Sequence, residues 1–153
     1  MIKAFEVADG IVQTINEFQA SVGKRKIKPT RRYHFVDGTK VPENILDVSV
    51  YPMARRKERL GNVTKKIIAT FYVVLKSKVL PNETIEIDKL IEYGAALDEH
   101  FEGRRICGAT NVVSEDEQFW WFPDELHQRH HFSSLLELQY YWQEKVGGIS
   151  PNP

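Results

Sequence analysis

Three histidines within five residues come closest to a metal-binding pattern in this chain. His130 and His131 follow His127 by three and four positions, a spacing that can bring imidazoles onto one helix face. No cysteine lies nearby, and no carboxylate stands at a recognised ligand spacing. The pattern therefore favours ordinary surface or turn histidines, and we expect neither a metal nor any other cofactor.

Two groups of carboxylates could bind a divalent cation and serve a nuclease. The acids at 115–117 are consecutive, so they cannot all face one way on a strand. Glu86 and Asp88 suit the positive end of a helix dipole better than a metal site. Cys107 is the only cysteine, has no histidine close in sequence to activate it, and is expected to be a small buried thiol. The sequence predicts no catalytic residue, and we expect a protein that is not an enzyme.

The positive charges concentrate in two stretches. Residues 24–32 and 55–66 hold 12 of the 21 Lys and Arg. Cations on flexible loops attract a phosphate backbone without reading its sequence, but no aromatic platform for stacking bases is interleaved with them. Nucleic-acid contact and a solvated loop therefore stay open as equal alternatives. The candidate contact residues are Arg55, Arg56, Lys57 and Arg59, followed by a second set, Lys24, Arg25, Lys26 and Lys28.

Charge is also divided between the two halves of the chain. The first 78 residues contain 16 of the 21 cations but 7 of the 21 anions, so zero net charge is really +9 followed by −9. Exposed ion pairs stabilise a fold by only about 0–1 kcal/mol each, whereas separated charge can orient one copy against another. This division predicts a protein that docks onto another copy of itself or onto another protein. We expect acidic positions such as Glu92 and Asp98 to face the basic loops of a neighbouring copy.

Four consecutive aromatic residues form another candidate interface. Phe119, Trp120, Trp121 and Phe122 cannot all point into one core from an extended segment. Aromatic side chains are favoured anchors at protein interfaces. The segment is predicted to contribute to a subunit or partner interface, with packing under a loop as the alternative.

Composition places these residues in an ordinary globular protein. The chain has 153 residues, of which 42% are hydrophobic and 27% charged, and we expect one domain over 1–153 with flexible ends at 1–3 and 147–153. No apolar run approaches the roughly 20 residues of a membrane span. No secretory signal is visible, and neither a membrane nor a secreted location is expected.

Two amphipathic helices are predicted, because apolar residues recur every three or four positions in two segments. These helices must position part of the chemistry described above. The first spans residues 4–18. The second runs from about Thr84 to Glu102, with Gly103 well placed to end it. A short helix start is also indicated at Pro123, where acidic residues follow.

The strands are predicted from alternation and from β-branched composition, and they cover 31–36, 46–52, 66–75, 109–114 and 132–142. The segment 66–75 is apolar almost throughout, as expected of a central strand covered on both faces. Pro29 and clustered charges make 23–29 a predicted loop. Residues 53–64 are too polar for core and are predicted to form a long projecting hairpin loop.

The order helix, three strands, helix, two strands predicts an α+β fold, with one mainly antiparallel sheet and two α-helices packed on it. No glycine-rich turn joins a strand to a helix, so a phosphate-cradling nucleotide site has no support.

This order of features resembles the tail terminators of long-tailed bacteriophages, over roughly residues 4–142. The resemblance lies in ILDVSVYP at 45–52, the charged segment after it, the long strand to Lys76, EIDKLI at 86–91 and FSSLLELQY at 132–140. The chain departs from the family pattern in the length of its basic stretch 24–32 and in the aromatic run 119–122.

The resemblance implies a structural virion protein that forms a ring, usually of six subunits. Such a ring caps the tail tube, joins it to the head and neck proteins, and passes DNA through its channel without sequence-specific binding. The chain would then assemble in the host cytoplasm and reside in the virion. Arg55, Arg56, Lys57 and Arg59 would line the channel or meet the tail tube.

Three alternatives remain open. A head-completion or adaptor protein of the phage neck is the nearest. A small DNA-binding module would use the same basic residues directly on DNA. A magnesium-dependent nuclease would need carboxylates such as Asp116 or Glu86.

Overall fold

A curled sheet shaped like a half-barrel is the frame on which the helices pack. The computed structural model describes residues 1–113 and 119–146, and within these ranges the sheet has eight strands. The elements, in chain order, are α1 (Ala4–Phe18), β1 (Ser21–Val22), β2 (Arg25–Arg31), a 3₁₀ turn (Gly38–Lys40), β3 (Ile45–Arg59), β4 (Thr64–Lys78), α2 (Thr84–Phe101), β5 (Arg105–Ile106), β6 (Ala109–Asn111), β7 (Phe119–Trp121), α3 (Pro123–Arg129) and β8 (His131–Lys145).

The strand order is β1-β2-β3-β4-β8-β6-β5, with β7 paired to β8 beside this path. Every pair is antiparallel except β2 with β3. The predicted α+β class with a mostly antiparallel sheet is confirmed. The predicted count of two helices is wrong, because the described part of the chain has three: α3 begins at Pro123, which suits the first position of a helix.

The core lies between one face of the sheet and the two long helices, whose predicted positions are confirmed. Ile11 and Ile15 of α1 and Leu90 and Leu97 of α2 are fully buried against sheet residues such as Phe71. Each such side chain contributes about 1.5–3 kcal/mol on leaving water. The face of the sheet that contacts α1 and α2 is called the inner face below, and the opposite one the outer face.

β4 is central, as predicted, since β3 and β8 pair with it along its two sides. Its odd-numbered residues from Ile67 to Leu75 enter the core. Its even-numbered residues face outward, where Tyr72 pairs with Glu137 and Val74 with Leu135 of β8. The outer face is therefore mixed in polarity rather than wholly polar.

The loop predicted at 23–29 is wrong, because Arg25–Arg31 forms β2 and pairs in parallel with β3. Pro29 is tolerated since β1 flanks β2 only at Arg25 and Lys26, and a proline lacking its N–H suits an edge position. The strand predicted at 31–36 is also wrong beyond Arg31, because β2 occupies residues 25–31 and ends there.

The long hairpin loop predicted at 53–64 is also wrong. β3 continues to Arg59 and β4 starts at Thr64, so only residues 60–63 form the turn. A β-bulge between Pro52 and Ala54 sets two residues of β3 against one of β4. Polar residues continue the strand here because pairing with β4 satisfies the backbone, and no buried face is required.

Several smaller predictions have mixed outcomes. Cys107 is exposed rather than buried, because it and Gly108 form the positive-φ turn of the β5–β6 hairpin. Residue 2, within the end predicted to be flexible, packs against the core. The acids at 115–117 and the predicted flexible end at 147–153 lie outside the described residues. In the described ranges, no helix is both long and apolar enough to cross a membrane.

Candidate interaction surfaces

The most basic surface is the distal part of the β3–β4 hairpin, residues 53–66, called the ribbon below. Residues 53–60 are all exposed, and β3 has no strand on its other side there because β2 pairs only as far as Val50. The strand lies at a sheet edge protected by charge and by the bulge, two devices that discourage edge-to-edge aggregation. Its cations are Arg55, Arg56, Lys57, Arg59, Lys65 and Lys66.

The ribbon holds few anions to balance these cations. Glu144 of β8 lies 3.6 Å from Arg55 and 3.9 Å from Lys65, and its side chain is largely buried. Glu58 lies 3.9 Å from Arg56, and both are exposed, so this contact contributes little. The structure thus brings the predicted residues Arg55, Arg56, Lys57 and Arg59 together on one element, where the sum of charges remains strongly positive.

The second predicted basic set is divided by the pleat of β2. Lys26 and Lys28 are exposed and lie toward the outer face, whereas Arg25 and Ile27 are buried toward the inner face. These two lysines, about 7 Å apart along β2, form a lysine stripe, and exposed Lys24 lies in the turn before the strand. Arg25 is not part of that surface, which corrects its assignment as a contact residue.

Arg25 instead joins β2 to β4 and α2 from a position that is 2% exposed. Its guanidinium donates to the carboxylate of Glu86 at 2.5 Å, to Oγ of Ser77 at 2.8 Å and to the carbonyl oxygen of Lys78 at 3.0 Å. Glu83 lies 3.6 Å away. This arrangement engages Glu86, one of the two carboxylates considered for a nuclease, in a structural ion pair.

The outer surface of α2 is acidic. Asp88, Glu92 and Glu99 are exposed and fall on one stripe of the helix, which spans about 17 Å at 1.5 Å per residue. Asp98 is half-buried at the border of this stripe. Because α2 covers the inner face, this acidic stripe and the lysine stripe of β2 lie on opposite layers of the protein.

The aromatic run is split between the two faces, in agreement with the expectation that it cannot all enter the core. Phe119 packs against the core at Gly94, and Trp121 stacks on Phe132 with ring centroids 6.3 Å apart. Trp120 and Phe122 remain 43% and 41% exposed. Only these two are free to act as interface anchors.

Phe122 borders a cleft on the outer face that the sequence did not predict. Phe35 forms its opposite wall and is 65% exposed, while Tyr72, Val74 and Leu135 form its floor. The cleft has a volume of about 290 Å³. Lys76 lies in its polar rim but donates to the carbonyl oxygen of Val36 at 2.8 Å, so its charge is held to one side.

The acidic side of this cleft is formed by two glutamates. Glu125 of α3 borders it directly, and Glu137 of β8 stands beside Tyr72 in the sheet register. The nearest signal in the sequence was Phe122 itself. Phe35 belongs to the segment 31–36 that was predicted to be a strand, and the structure has no strand there beyond Arg31, so its place in the cleft was not predicted.

The histidines are separated rather than gathered. His127 is exposed on α3, His130 ends that helix in a left-handed conformation, and His131 is 1% exposed under Gly38. Nε2 of His131 lies 3.0 Å from Oε2 of Glu125, without the alignment of a hydrogen bond. Burial lowers the pKa of His131, and the nearby carboxylate of Glu125 opposes this only in part. Among the described residues, no group of three or more His, Cys, Asp or Glu could hold a metal ion.

No protein-family model matches this chain, and no curated protein matches it.

Proposed function

We propose that this chain is a structural protein of a bacteriophage virion, a ring-forming tail terminator that joins the tail tube to the head and neck. The observation that carries the proposal is the exposed ribbon, which gathers six cations on an element that the core does not need. In a ring, such an element supplies a positive lining past which DNA slides without being read. We therefore keep Arg55, Arg56, Lys57 and Arg59 as channel or tail-tube contacts.

The distribution of charge over the two layers supports a ring. Lysines lie toward the outer face at β2, and the acidic stripe of α2 lies on the other layer. Such a subunit is suited to heterologous contacts, in which the patch of one copy meets a different patch of the next, and these contacts close into a ring when the rotation permits. Glu92 and Asp98 would then face lysines such as Lys26 of the neighbour.

Salt and charge reversal test this proposal. We expect closed rings in negative-stain images at low salt, and native mass spectrometry should show their dissociation as ionic strength rises, because exposed ion pairs are screened. Glu92→Lys should weaken assembly, whereas Glu17→Lys, an equal charge change at the exposed end of α1, should not. A chain that stays monomeric, or rings that ignore both salt and Glu92→Lys, would contradict a charge-guided ring.

The position of the ribbon provides a separate check. An image reconstruction of the assembled particle should place Arg56 and Lys57 toward the channel or the tail tube. If it places them on the outer wall, their assignment is wrong even if the ring itself is correct. A neck adaptor remains the nearest alternative, distinguished by whether the purified ring binds the open end of tails or the portal side of heads.

The same ribbon favours one candidate from another class, a DNA-binding module. Lys66 lies 4.6 Å over the ring of Tyr141, so a cation and an aromatic ring, two side-chain types that bind single-stranded nucleic acid, stand together at the base of the ribbon. Monomeric protein that retards duplex DNA in a gel, with an affinity that falls steeply with salt and is lost on Arg56→Ala with Lys57→Ala, would favour this function. We expect no retardation by the monomer at physiological salt.

A further inference from the structure

The turn at the end of the ribbon exposes apolar side chains. Leu60 is 51% exposed and Val63 is 59% exposed, although both stand between basic residues at the most distal point of the hairpin. The turn is nevertheless regular: the backbone N–H of Leu60 donates to Thr64, and that of Val146 donates to Val63. A well-formed turn that presents two aliphatic side chains to water is suited to insertion into another surface.

The cleft on the outer face has the complementary character. Its aromatic walls, Phe35 and Phe122, are exposed, and its floor is apolar. Glu125 and Glu137 lie at its edge. Glu125 lies 3.8 Å from Arg129 of its own helix, whereas Glu137 has no ion-pair partner within 1–113 and 119–146 and supplies the uncompensated negative charge. An apolar group flanked by cations therefore fits this cleft better than an acidic or wholly polar group.

The ribbon of the same copy cannot reach this cleft. The turn precedes Thr64, and the cleft lies at Val74, ten residues further along the same strand. Ten residues of strand span about 33 Å. If the ribbon turn fills this cleft, it must therefore come from a different copy of the chain.

We infer that the turn of the ribbon, with Leu60 and Val63, inserts into the Phe35–Phe122 cleft of a second copy of this chain. Arg59, which directly precedes the turn, then approaches Glu137 of that copy, whereas Arg56 and Lys57, further from the turn, remain directed to the channel or the tail tube. The contact is heterologous, since turn and cleft are different patches, and it thus extends from copy to copy. The inference rests on the proposed function in that this second contact would help to close the ring, in addition to the charge pairing of Glu92 and Asp98 with lysines of β2.

Single substitutions on exposed positions test the contact without disturbing the core. Leu60→Asp on the turn and Phe122→Asp in the cleft should each weaken self-association about 10- to 100-fold, as expected for the loss of one buried apolar anchor. Ile85→Asp, at an apolar position that is 69% exposed in the first turn of α2, is the matched control and should assemble normally. Val63→Asp replaces Leu60→Asp if that variant does not fold, as judged by circular dichroism.

Mixing the two variants gives the sharpest result. The Leu60→Asp variant keeps an intact cleft and the Phe122→Asp variant keeps an intact turn, so an equal mixture can form one contact and then stops. Analytical ultracentrifugation should show two monomers that combine into a 1:1 dimer and no larger species. Two folded variants that remain monomeric when mixed, or single variants that assemble like the unchanged protein, would overturn the inference.

These outcomes separate the inference from the proposed function. Closed rings that survive Leu60→Asp would overturn the turn–cleft contact and leave the terminator proposal standing. Open chains that Leu60→Asp breaks would support the contact and refute the ring. A chain that is monomeric at every concentration refutes both.

Discussion

Replacing Arg25 by methionine should destabilise this protein far more than removing any neighbouring lysine. The guanidinium is buried, and it holds the carboxylate of Glu86 at 2.5 Å while also donating to Ser77 and Lys78. Methionine fills much of the same space but leaves these acceptors without their donor. Loss of one partner from a buried ion pair costs about 3–5 kcal/mol.

The side chains of Glu86 and Glu83 are 22% and 32% exposed, so water can partly hydrate them once the arginine is gone. We therefore expect the lower end of that range, about 3 kcal/mol. For a chain of this length, 1 kcal/mol corresponds to about 2–4 °C in Tm, so the Tm should fall by about 6–12 °C.

Thermal unfolding followed by circular dichroism, with urea titration for the free energy of unfolding, measures this effect. Lys26→Met is the matched control, because Lys26 is the next residue on β2 and is exposed; its change should stay within about 0.5 kcal/mol. Arg25→Met with Glu86→Leu should lose less than the two single changes added, because the carboxylate of Glu86, the nearer of the two that contact Arg25, is then no longer left without its partner. A Tm loss for Arg25→Met no larger than that for Lys26→Met would refute the structural role of the pair.

Two further predictions concern stability. Gly94→Ala should lower the free energy of unfolding by about 1–3 kcal/mol in urea titration, because the added methyl would clash with the ring of Phe119. A neutral or stabilising result would show that the ring moves aside. The pKa of buried His131 is lowered on folding, so the unfolded chain binds the proton more tightly: stability should be fully retained above about pH 6.5 and fall as the pH drops below it. His131→Gln should flatten that fall between pH 7 and 5, with Glu125, Lys76, Arg129 and Asp37 unchanged around it, and an unaltered slope would assign the fall to other groups.

The sequence predicted those elements whose stability comes from a continuous apolar pattern. α1 and α2 have the predicted bounds to within about a residue because their apolar stripes repeat at the helical period. β4 was recognisable because its odd-numbered residues are buried in the core and none of its residues from Lys66 to Ser77 is fully exposed, which permits an almost continuous apolar run. In each case the burial that stabilises the element also requires apolar residues at regular positions, which are visible in the sequence.

Elements stabilised in other ways were missed. β2 was hidden by Pro29 and by charge, although Arg25 and Ile27 alternating with exposed lysines carry the period of a strand. The β3 part of the ribbon has no buried side chain, and among the described strands its backbone pairs with β4 alone. The cleft depends on Phe35 and Phe122, which are 87 positions apart in the chain and meet only through the fold.

The bulge at Pro52–Ala54 changes which residues of β3 face the helices. Before it, even-numbered residues such as Val48 and Val50 point toward the helices; after it, odd-numbered residues such as Arg55 and Lys57 do so, opposite Ala69 and Ile67. Removing Met53 would straighten the strand and still leave these cations on the same side. The bend of the hairpin and the face that carries its cations can therefore change independently. Deletion or insertion of one residue at position 53 alters the bend and leaves the cations on the same face.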